Sequence, residues 1–347
     1  MSCPTCLPII FTKNPTPTPE EKRNLILNNP GFGKVFTDHM LMLHYNKEKN
    51  WHNATINAYG PIALDPGVCV FHYGQEIFEG LKAYKTKDGR TLLFRPEANA
   101  KRFANSAKRM AMQPLPESLF LQAIYEFIKV EEPWIPDPSV GSLYLRPFMI
   151  ANSAYLGVKP STDYLFMIIA CPVGSYFSKG ADAVTVWISE FYTRAASGGT
   201  GEAKCGGNYA ASLIAQQQAT ANNCDQLVFL DAAEHKWIEE MGGMNIFFVF
   251  DDGTLLTPPL NGTILPGITR DCIITIAKDK GLAVRQERYS ANQWIKDIKS
   301  NHIKEVFACG TAAVVTPIGY VKNQQGNYTI NKGQVGTITQ EMRETLI

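Results

Sequence analysis

Runs of apolar residues separated by turn residues predict both strands and helices in the first half of the chain. Four segments rich in β-branched and aromatic residues predict strands, at TDHMLMLHY (37–45), INAYGPIAL (56–64), SLYLRPFMIA (142–151) and DYLFMIIACPV (163–173). Two segments in which apolar residues recur at intervals of three and four predict helices, at 96–112 and 117–130. The first half therefore indicates helices packed against a sheet.

The second half shows the same mixture in a different order. Strands are predicted at AVTVWISEF (183–191), QLVFLD (226–231), MNIFFVF (244–250) and LAVRQERYS (282–290). Helices are predicted at 208–223, 268–281 and 291–301, and another helix reaches the end of the chain. We therefore expect a mixed α/β (α+β) fold.

A chain of 347 residues is long enough for two domains. The stretch 12–24 is rich in Pro, Thr and charged residues and predicts a loose N-terminal arm over 1–30, with order beginning near Gly31. The segment 174–182 is the candidate linker. It would join a small α/β domain at 31–173 to a larger, cofactor-binding domain at 183–347.

The composition argues against several classes of protein. The 33 basic and 32 acidic residues nearly cancel, which gives no electrostatic reason to expect nucleic acid or an anionic membrane surface as a partner. Hydrophobic content of 45% without a long apolar run predicts a globular chain. The histidines lack metal-ligand spacing, so no metal site is expected. Scattered cysteines, with Cys3 and Cys6 interpreted as a chance CxxC, predict a reduced, cytoplasmic protein.

Lys204 stands among small residues in GTGEAKCGGNYAASL (199–213). A lysine becomes a nucleophile at neutral pH only where its ammonium form is destabilised, and a partly desolvated site can do this. Neighbouring glycines let a planar ligand approach the backbone. Composition alone favours the alternative, a solvated lysine in a surface loop.

Two further stretches favour the functional interpretation of Lys204. In TPPLNGTILPGITRD (257–271), a Pro-Gly turn makes Ile268 and Thr269 the first residues of a helix, so backbone N–H groups can receive an anion; an ordinary capped helix is the alternative. Glu239 and Glu240 precede an apolar strand, where a carboxylate needs a partner unless it is solvated. A lysine, a phosphate site and a carboxylate for a ring nitrogen are together what pyridoxal phosphate requires.

These segments and ACGTAAVVTPIG (308–319) strongly resemble the branched-chain amino acid aminotransferases of the fold-type IV pyridoxal-phosphate class. The first half resembles the same family at PGFGKVFTDHM, FHYGQEIFEGLKAY, LFRPEANAKRF, SLYLRPFMI and CPVGSYF. The resemblance covers about residues 31–347. It implies a two-domain fold with pyridoxal 5′-phosphate between the domains, and a homodimer whose partner subunit edges the pocket.

The resemblance also implies roles for single residues toward the cofactor. Lys204 matches the Schiff-base lysine, which moves a proton between the substrate Cα and C4′ of the cofactor. Glu240 matches the acid facing the pyridine nitrogen, and Tyr209 matches the phenol at the 3′ oxygen. The positions that hold the phosphate group match Arg102, Ile268, Thr269 and Thr311.

Substrate residues follow from the same resemblance. The aromatic wall that selects a branched aliphatic side chain matches Phe32, Tyr73, Phe78, Tyr144 and Tyr176. Arg146 matches the arginine that helps admit the distal carboxylate of glutamate or 2-oxoglutarate. The cradle for the α-carboxylate matches the backbone N–H groups of Gly310, Thr311 and Ala312, with Gly243 beside it.

The chain departs from the family pattern in two places. Gly243 stands where some relatives carry a threonine, so a hydroxyl contact is lost. A CxxC thiol switch found in some relatives is replaced by Ala313, Val314, Val315 and Thr316. The redox control of those relatives is therefore expected to be missing.

The implied activity is reversible transfer of the amino group of Leu, Ile or Val to 2-oxoglutarate, by a ping-pong route through the pyridoxamine form. One alternative is a relative with another substrate, a D-amino acid transaminase or an aminodeoxychorismate lyase; the aromatic wall with Arg146 argues against it. The other is a non-catalytic binding protein that has lost the cofactor. The presence of Lys204, Tyr209 and Glu240 argues against that protein.

Overall fold

The computed structural model describes residues 7–174 and 182–346, which form two compact units. The first unit contains 7–174 together with Ala203–Gly206, and the second contains 182–202 and 207–346. Most of the predicted linker, and with it Tyr176, lies outside the described residues. Cys3 and Cys6 lie outside them too. The predicted domain boundaries therefore stay a prediction.

The first unit is built on one mostly antiparallel sheet. In the described chain this sheet has eight strands in the order β1-β3-β2-β8-β7-β5-β6, with β4 paired to β7. Its elements are β1 (Ile10–Phe11), α1 (Glu20–Asn28), β2 (His39–Asn46), β3 (Asn50–Ala58), α2 (Cys69–Tyr73), β4 (Glu76–Phe78), β5 (Leu81–Lys85), β6 (Thr91–Leu93), α3 (Pro96–Arg109), α4 (Glu117–Glu131), β7 (Ser142–Ala151) and β8 (Tyr164–Val173).

Strand β8 has an unbroken apolar sequence because both of its faces are buried. Phe166 belongs to the core beneath α3 and α4, whereas Met167 belongs to a cluster on the opposite face. Phe103 of α3 and Phe120 of α4 pack on Phe166, with ring centroids 5.5 and 6.0 Å away. Burial of this aromatic group fixes the two helices on the sheet.

The second unit contains a nine-stranded sheet in the described chain. Strands β11, β10, β9, β16, β15 and β12 close into a ring, because β12 pairs with both β15 and β11. The elements are β9 (Val184–Ser189), α5 (Gly206–Ala210), α6 (Leu213–Ala221), β10 (Gln226–Leu230), β11 (Ile238–Met241), β12 (Met244–Phe250), β13 (Leu255–Thr257), α7 (Ile268–Asp279), β14 (Val284–Gln286), α8 (Ala291–Lys299), β15 (Ile303–Gly310), β16 (Val314–Asn323), β17 (Gly326–Thr329) and α9 (Thr337–Leu346).

Strand β12 is also buried on both faces. Phe248 packs on Trp294 of α8 with ring centroids 5.2 Å apart. Phe247 faces the other way and stacks on Phe307 at 5.1 Å, in the cluster that contains residues of α7 and α9. The mixed fold class predicted from the sequence is confirmed by these helices and strands.

The prediction of a loose arm that becomes ordered only near Gly31 is wrong for the described residues. Ile10 and Phe11 form β1, which pairs in parallel with β3, and Glu20–Asn28 forms α1. The polar, Pro-rich stretch 12–24 gave no apolar helix signal for α1, and β1 is only two residues long and exposed. Two glutamates in the first turn of α1 favour a helix there, because carboxylates stabilise a helix N-terminus.

Several predicted elements have different bounds in the structure, and two of them show the physical reason. The strand expected at 56–64 is Asn50–Ala58, and it ends just before Gly60 and Pro61, which break strand pairing. The helix expected at 208–223 divides into α5 and α6. At the break, the Ser212 hydroxyl donates to the backbone carbonyl of Tyr209 at 2.6 Å and so competes with the helical hydrogen bonds.

The described cysteines are free thiols and all of them are buried, at Cys69, Cys171, Cys205, Cys224, Cys272 and Cys309. Within 7–174 and 182–346, no group of three or more His, Cys, Asp or Glu side chains could hold a metal ion. In the same ranges, no helix has the length and apolarity needed to cross a membrane.

Candidate active site

Hydrogen bonds of its N–H and carbonyl groups fix the backbone of Lys204. Its N–H donates to Ser106 Oγ at 3.0 Å, and its carbonyl accepts the N–H of Phe78 at 2.9 Å. The half-buried side chain brings Nζ to 4.9 Å from the centre of the Phe78 ring. The backbone of Lys204 is therefore fixed and its side chain is half-buried, unlike that of a lysine in an open surface loop.

The strand that orders Lys204 also carries an acid. Glu76 begins β4, and one of its carboxylate oxygens accepts the N–H of Gly206. A side chain at Gly206 would collide with this carboxylate, which explains the glycine. Burial raises the pKa of Glu76, while the hydrogen bond from Gly206 and the charge of Arg146 partly oppose the rise.

Arg102, predicted to hold phosphate, is buried in helix α3 and forms an ion pair. Its Nε and Nη2 donate to the two carboxylate oxygens of Glu79 at 2.6 and 2.9 Å. Burial alone would raise the pKa of Glu79, but the charge and hydrogen bonds of Arg102, with smaller help from Lys204 and Asn99, keep it below its usual value. Both side chains are therefore charged.

The first unit brings four of the predicted substrate residues together. The rings of Phe32 and Tyr144 are 5.8 Å apart, and Arg146 Nη2 donates to Tyr144 Oη at 3.1 Å. The Arg146 guanidinium carbon lies 4.7 Å from the centre of the Phe78 ring. Its buried Nε has no hydrogen-bond partner among the described residues. Tyr73 ends α2 and is 40% exposed, and Tyr176 lies outside the described residues.

Glu240 is a deeply buried acid of the second unit. Only 1% of the residue is exposed, and its Oε1 accepts the N–H of Leu265 at 2.6 Å. Arg194 Nε lies 3.1 Å from its Oε2. Neighbouring residues of a strand point to opposite faces, so Glu239 points away and instead accepts the Thr263 hydroxyl at 2.5 Å. Only one acid of the predicted pair can therefore face a given ligand.

Helix α7 begins at Ile268, as predicted, and Thr269 follows it in the first turn. Gly267 is the N-cap, and a glycine has no side chain with which to cap the helix. A side chain at Gly267 would collide with Asn245, whose amide donates to the carbonyl of Leu265 at 3.1 Å. An uncapped first turn offers backbone N–H groups and a positive dipole end to an anion.

Asn245 also connects this helix to the acid and to the predicted carboxylate cradle. It pairs with Glu240 on one side and with Cys309 on the other, across three adjacent strands. Gly310, Thr311 and Ala312 follow at the end of β15 and in the turn to β16. Within the second unit, Glu240, the N-terminus of α7 and the turn of residues 310–312 are therefore connected through Asn245.

Tyr209 lies at the end of α5, and Gly243 lies in the turn between β11 and β12. An added Cβ at Gly243 would come within 3.1 Å of Tyr209 Cε1. These two predicted residues are therefore close neighbours within the second unit.

Sequence reasoning missed the partners of the charged residues. Glu79 pairs with Arg102 and accepts a hydrogen bond from Asn99. Ser106 accepts the N–H of Lys204, and Arg194 pairs with Glu240. Glu79 carried a local signal, because it is an acid inside an apolar run directly before a glycine. The single charge of Arg194, after β9, gave no such signal.

Comparison with known proteins identifies the family. The model described as amino-transferase class IV matches residues 76–321. The chain belongs to the class IV aminotransferases. A similar curated member is the branched-chain-amino-acid aminotransferase of Mycolicibacterium smegmatis, which is 52% identical over 346 residues, covering 98% of this chain and 94% of that protein.

Solved class IV aminotransferases share the fold. The branched-chain amino acid aminotransferase of Escherichia coli has a TM-score of 0.74 at 28% identity, covering 89% of this chain and 93% of that chain. Two structures of the T.th. branched-chain amino acid aminotransferase contain pyridoxamine 5′-phosphate and N-(5′-phosphopyridoxyl)-L-glutamate. Each has a TM-score of 0.72 at 30% identity, covering 88% of this chain and 92% of that chain.

Class IV aminotransferases use pyridoxal 5′-phosphate, and the donor set of this chain fits that cofactor. Lys204 provides a half-buried amine on an ordered backbone, and Arg102 provides a buried guanidinium suited to phosphate. In the second unit, Glu240 is a buried carboxylate and α7 has an uncapped first turn. The types of group that the cofactor needs are therefore all present.

Proposed function

We propose that the chain is a branched-chain amino acid aminotransferase that reversibly transfers the amino group of Leu, Ile or Val to 2-oxoglutarate. The observation that carries this proposal is the aromatic wall around Arg146. Phe32, Phe78 and Tyr144 offer apolar ring surface, and Arg146 adds one positive charge with a buried Nε that no described residue pairs with. Such a wall suits both an aliphatic side chain and a distal carboxylate.

The two substrates would use this wall differently. A branched side chain would bury apolar area against the rings, which stabilises binding by about 25 cal/mol per Å². The distal carboxylate of glutamate or 2-oxoglutarate would pair with the Arg146 guanidinium, whose planar geometry matches a carboxylate. The Tyr144 hydroxyl fixes that guanidinium through the 3.1 Å hydrogen bond.

We propose the following roles toward the cofactor. Lys204 binds it covalently and carries the proton to and from the substrate Cα. Glu240 keeps the ring nitrogen protonated, and Tyr209 donates to the 3′ oxygen. When bound, the cofactor would supply an electron sink for the electron pair left by the departing Cα proton. The residues proposed to hold the phosphate group would be Arg102, Ile268, Thr269 and Thr311.

The α-carboxylate of either substrate would bind to backbone N–H groups. We assign this role to the turn of Gly310, Thr311 and Ala312, next to Gly243. Backbone donors suit the role because they recognise a carboxylate without contacting the variable side chain. One turn can therefore serve Leu, Ile, Val and glutamate alike.

An absorbance scan of the purified protein tests the proposal. We expect a visible band from the lysine-bound cofactor that L-leucine converts to the pyridoxamine spectrum and 2-oxoglutarate restores. Lys204→Ala should lose the band and the exchange, whereas the control Lys85→Ala, at an exposed end of β5, should keep both. A full band and normal exchange in Lys204→Ala would refute the assignment.

Substrate preference is tested by comparing turnover of L-leucine, D-alanine and aminodeoxychorismate. We expect L-leucine to be preferred, because the rings of the wall favour a branched aliphatic group. Preference for either of the other two would place the chain with a different member of the class.

We also propose a cytoplasmic homodimer. Leu156 and Val158, in the connection between β7 and β8, are 75% and 89% exposed, and side chains of this kind are commonly buried in subunit interfaces. Sedimentation should give twice the chain mass, and Leu156→Glu should shift the mass toward the monomer. A monomeric native protein would contradict the dimer, and recovery outside the soluble cell fraction would contradict the location.

A further inference from the structure

Glu79 has no role in the reaction described above, yet its carboxylate is fully buried beside residues that have one. It is 0% exposed and receives Arg102 Nε and Nη2 through both oxygens. Asn99 Nδ2 and the N–H of Gly80 also donate to Oε2, at 2.8 and 3.1 Å. Four donors therefore hold one carboxylate, and that carboxylate holds the plane of the Arg102 guanidinium.

The same short segment also orders the lysine. Phe78, next to Glu79, donates its N–H to the carbonyl of Lys204 at 2.9 Å, and its ring lies 4.9 Å from the lysine Nζ. The N–H of Glu79 itself donates to the carbonyl of Pro147 on β7 at 2.7 Å. Residues 76–79 thus join the Lys204 segment and the Arg102 side chain to one sheet.

We propose that Glu79 is a positioning residue that fixes the Arg102 guanidinium in the orientation that receives the cofactor phosphate. The inference rests on the proposed function. An arginine side chain has many rotamers, and a ligand that must order it loses binding free energy. A bidentate pair formed before binding removes that cost. The opposite role, a carboxylate that competes with phosphate for Arg102, predicts an effect of opposite sign on affinity.

The test compares two vitamers that differ only in phosphate. Dissociation constants of pyridoxal phosphate and pyridoxal are measured on the full chain after the cofactor is removed. For Glu79→Gln we expect pyridoxal phosphate to bind about tenfold more weakly, as is common when a supporting partner of a binding group is lost. Pyridoxal should bind as it does to the native chain, because it has no phosphate for Arg102 to hold.

Two controls separate positioning from general damage. Glu76→Gln changes the other acid of the segment, whose partner is Gly206, and should leave the ratio of the two dissociation constants unchanged. In an Arg102→Gln background, Glu79→Gln should cause no further loss of phosphate preference. If Glu79→Gln does not fold, Glu79→Asp serves instead, because it keeps the charge on a side chain one methylene shorter. This variant should lose part of the preference for pyridoxal phosphate over pyridoxal.

Three outcomes would overturn the inference. Equal weakening of both vitamers would mean that Glu79 supports only the fold. Tighter binding of pyridoxal phosphate by Glu79→Gln would mean that Glu79 competes with phosphate. An additive loss in the Arg102→Gln background would mean that Glu79 acts elsewhere. Failure of the native chain to bind either vitamer would refute the proposed function instead.

Discussion

A side chain at Gly243 would be in tight contact with the ring of Tyr209. A Cβ at Gly243 would lie 3.1 Å from Tyr209 Cε1 and 3.7 Å from its hydroxyl oxygen. Carbon atoms prefer separations of about 3.5–4.0 Å, so the ring would have to shift by a few tenths of an ångström. The threonine of some relatives therefore does not fit here without movement of the tyrosine.

Gly243→Ala should consequently weaken cofactor binding. Overpacking costs about 1–3 kcal/mol, so we expect the dissociation constant of pyridoxal phosphate to rise about tenfold as the phenol moves. Gly207→Ala is the matched control, because a Cβ there would meet no described atom within 4 Å. Titration of both variants by absorbance measures the difference. Equal affinities would show that the Tyr209 ring yields without cost, or that it does not contact the cofactor.

Single residues of the site could be predicted from the sequence, but their partners could not. Lys204 and Glu240 stand in local sequences whose composition is unusual, and the family resemblance assigns them roles. Arg194 lies 46 positions from Glu240, and Glu79 lies 23 positions from Arg102. Only the folded sheets bring such pairs together, and no local periodicity encodes them. The ion pairs that support the site therefore required the structure.

Among the elements, helix α9 depends on a carboxylate from a distant strand. Glu305 of β15 accepts the N–H groups of Ile338 and Thr339 at 3.0 and 2.7 Å, and also the Thr339 hydroxyl at 2.7 Å. A side chain at Gly336 would collide with this carboxylate, so the glycine lets the helix start against the strand. A negative charge at this end also complements the helix dipole.

Glu305→Gln should lower the free energy of unfolding by about 1–2 kcal/mol, because an amide loses the charge and can accept through one oxygen only. Glu341→Gln, on the exposed side of the same helix, is the control and should change stability by less than about 0.5 kcal/mol. Urea denaturation followed by circular dichroism measures both. Similar losses in the two variants would mean that Glu305 does not cap the helix.

Strands with a long apolar pattern and a buried face were predicted well, and a short exposed strand was not. The predicted strands at 142–151 and 244–250 coincide with β7 and β12, whose apolar residues form the cores. The strand Ile10–Phe11 is exposed and is held by pairing with β3, so no buried face marked it in the sequence. Tertiary pairing decides such elements, and single-sequence patterns do not contain it.

A buried lysine makes the stability of the folded protein change with pH in the alkaline range. Lys82 of β5 is 7% exposed, and burial lowers its pKa to about 8. In the unfolded chain the ordinary value of 10.5 applies, so the unfolded state binds more protons between about pH 8 and pH 10.5. Stability therefore gains from Lys82 as pH rises through this window. Below about pH 8, the folded protein bears the full cost of keeping the buried ammonium group charged, roughly 3 kcal/mol.

Lys82→Met should remove that cost and raise the melting temperature at pH 7, because Met fills a similar volume without a charge. The advantage should shrink as pH rises from 8 toward 10, since the native lysine loses its proton there. Lys85→Met, at the exposed end of the same strand, should show no such trend. Calorimetry on cofactor-free protein at pH 7, 8, 9 and 10 measures the difference in melting temperature between each variant and the native chain. A pH-independent difference between Lys82→Met and the native chain would show that Lys82 keeps its proton after folding.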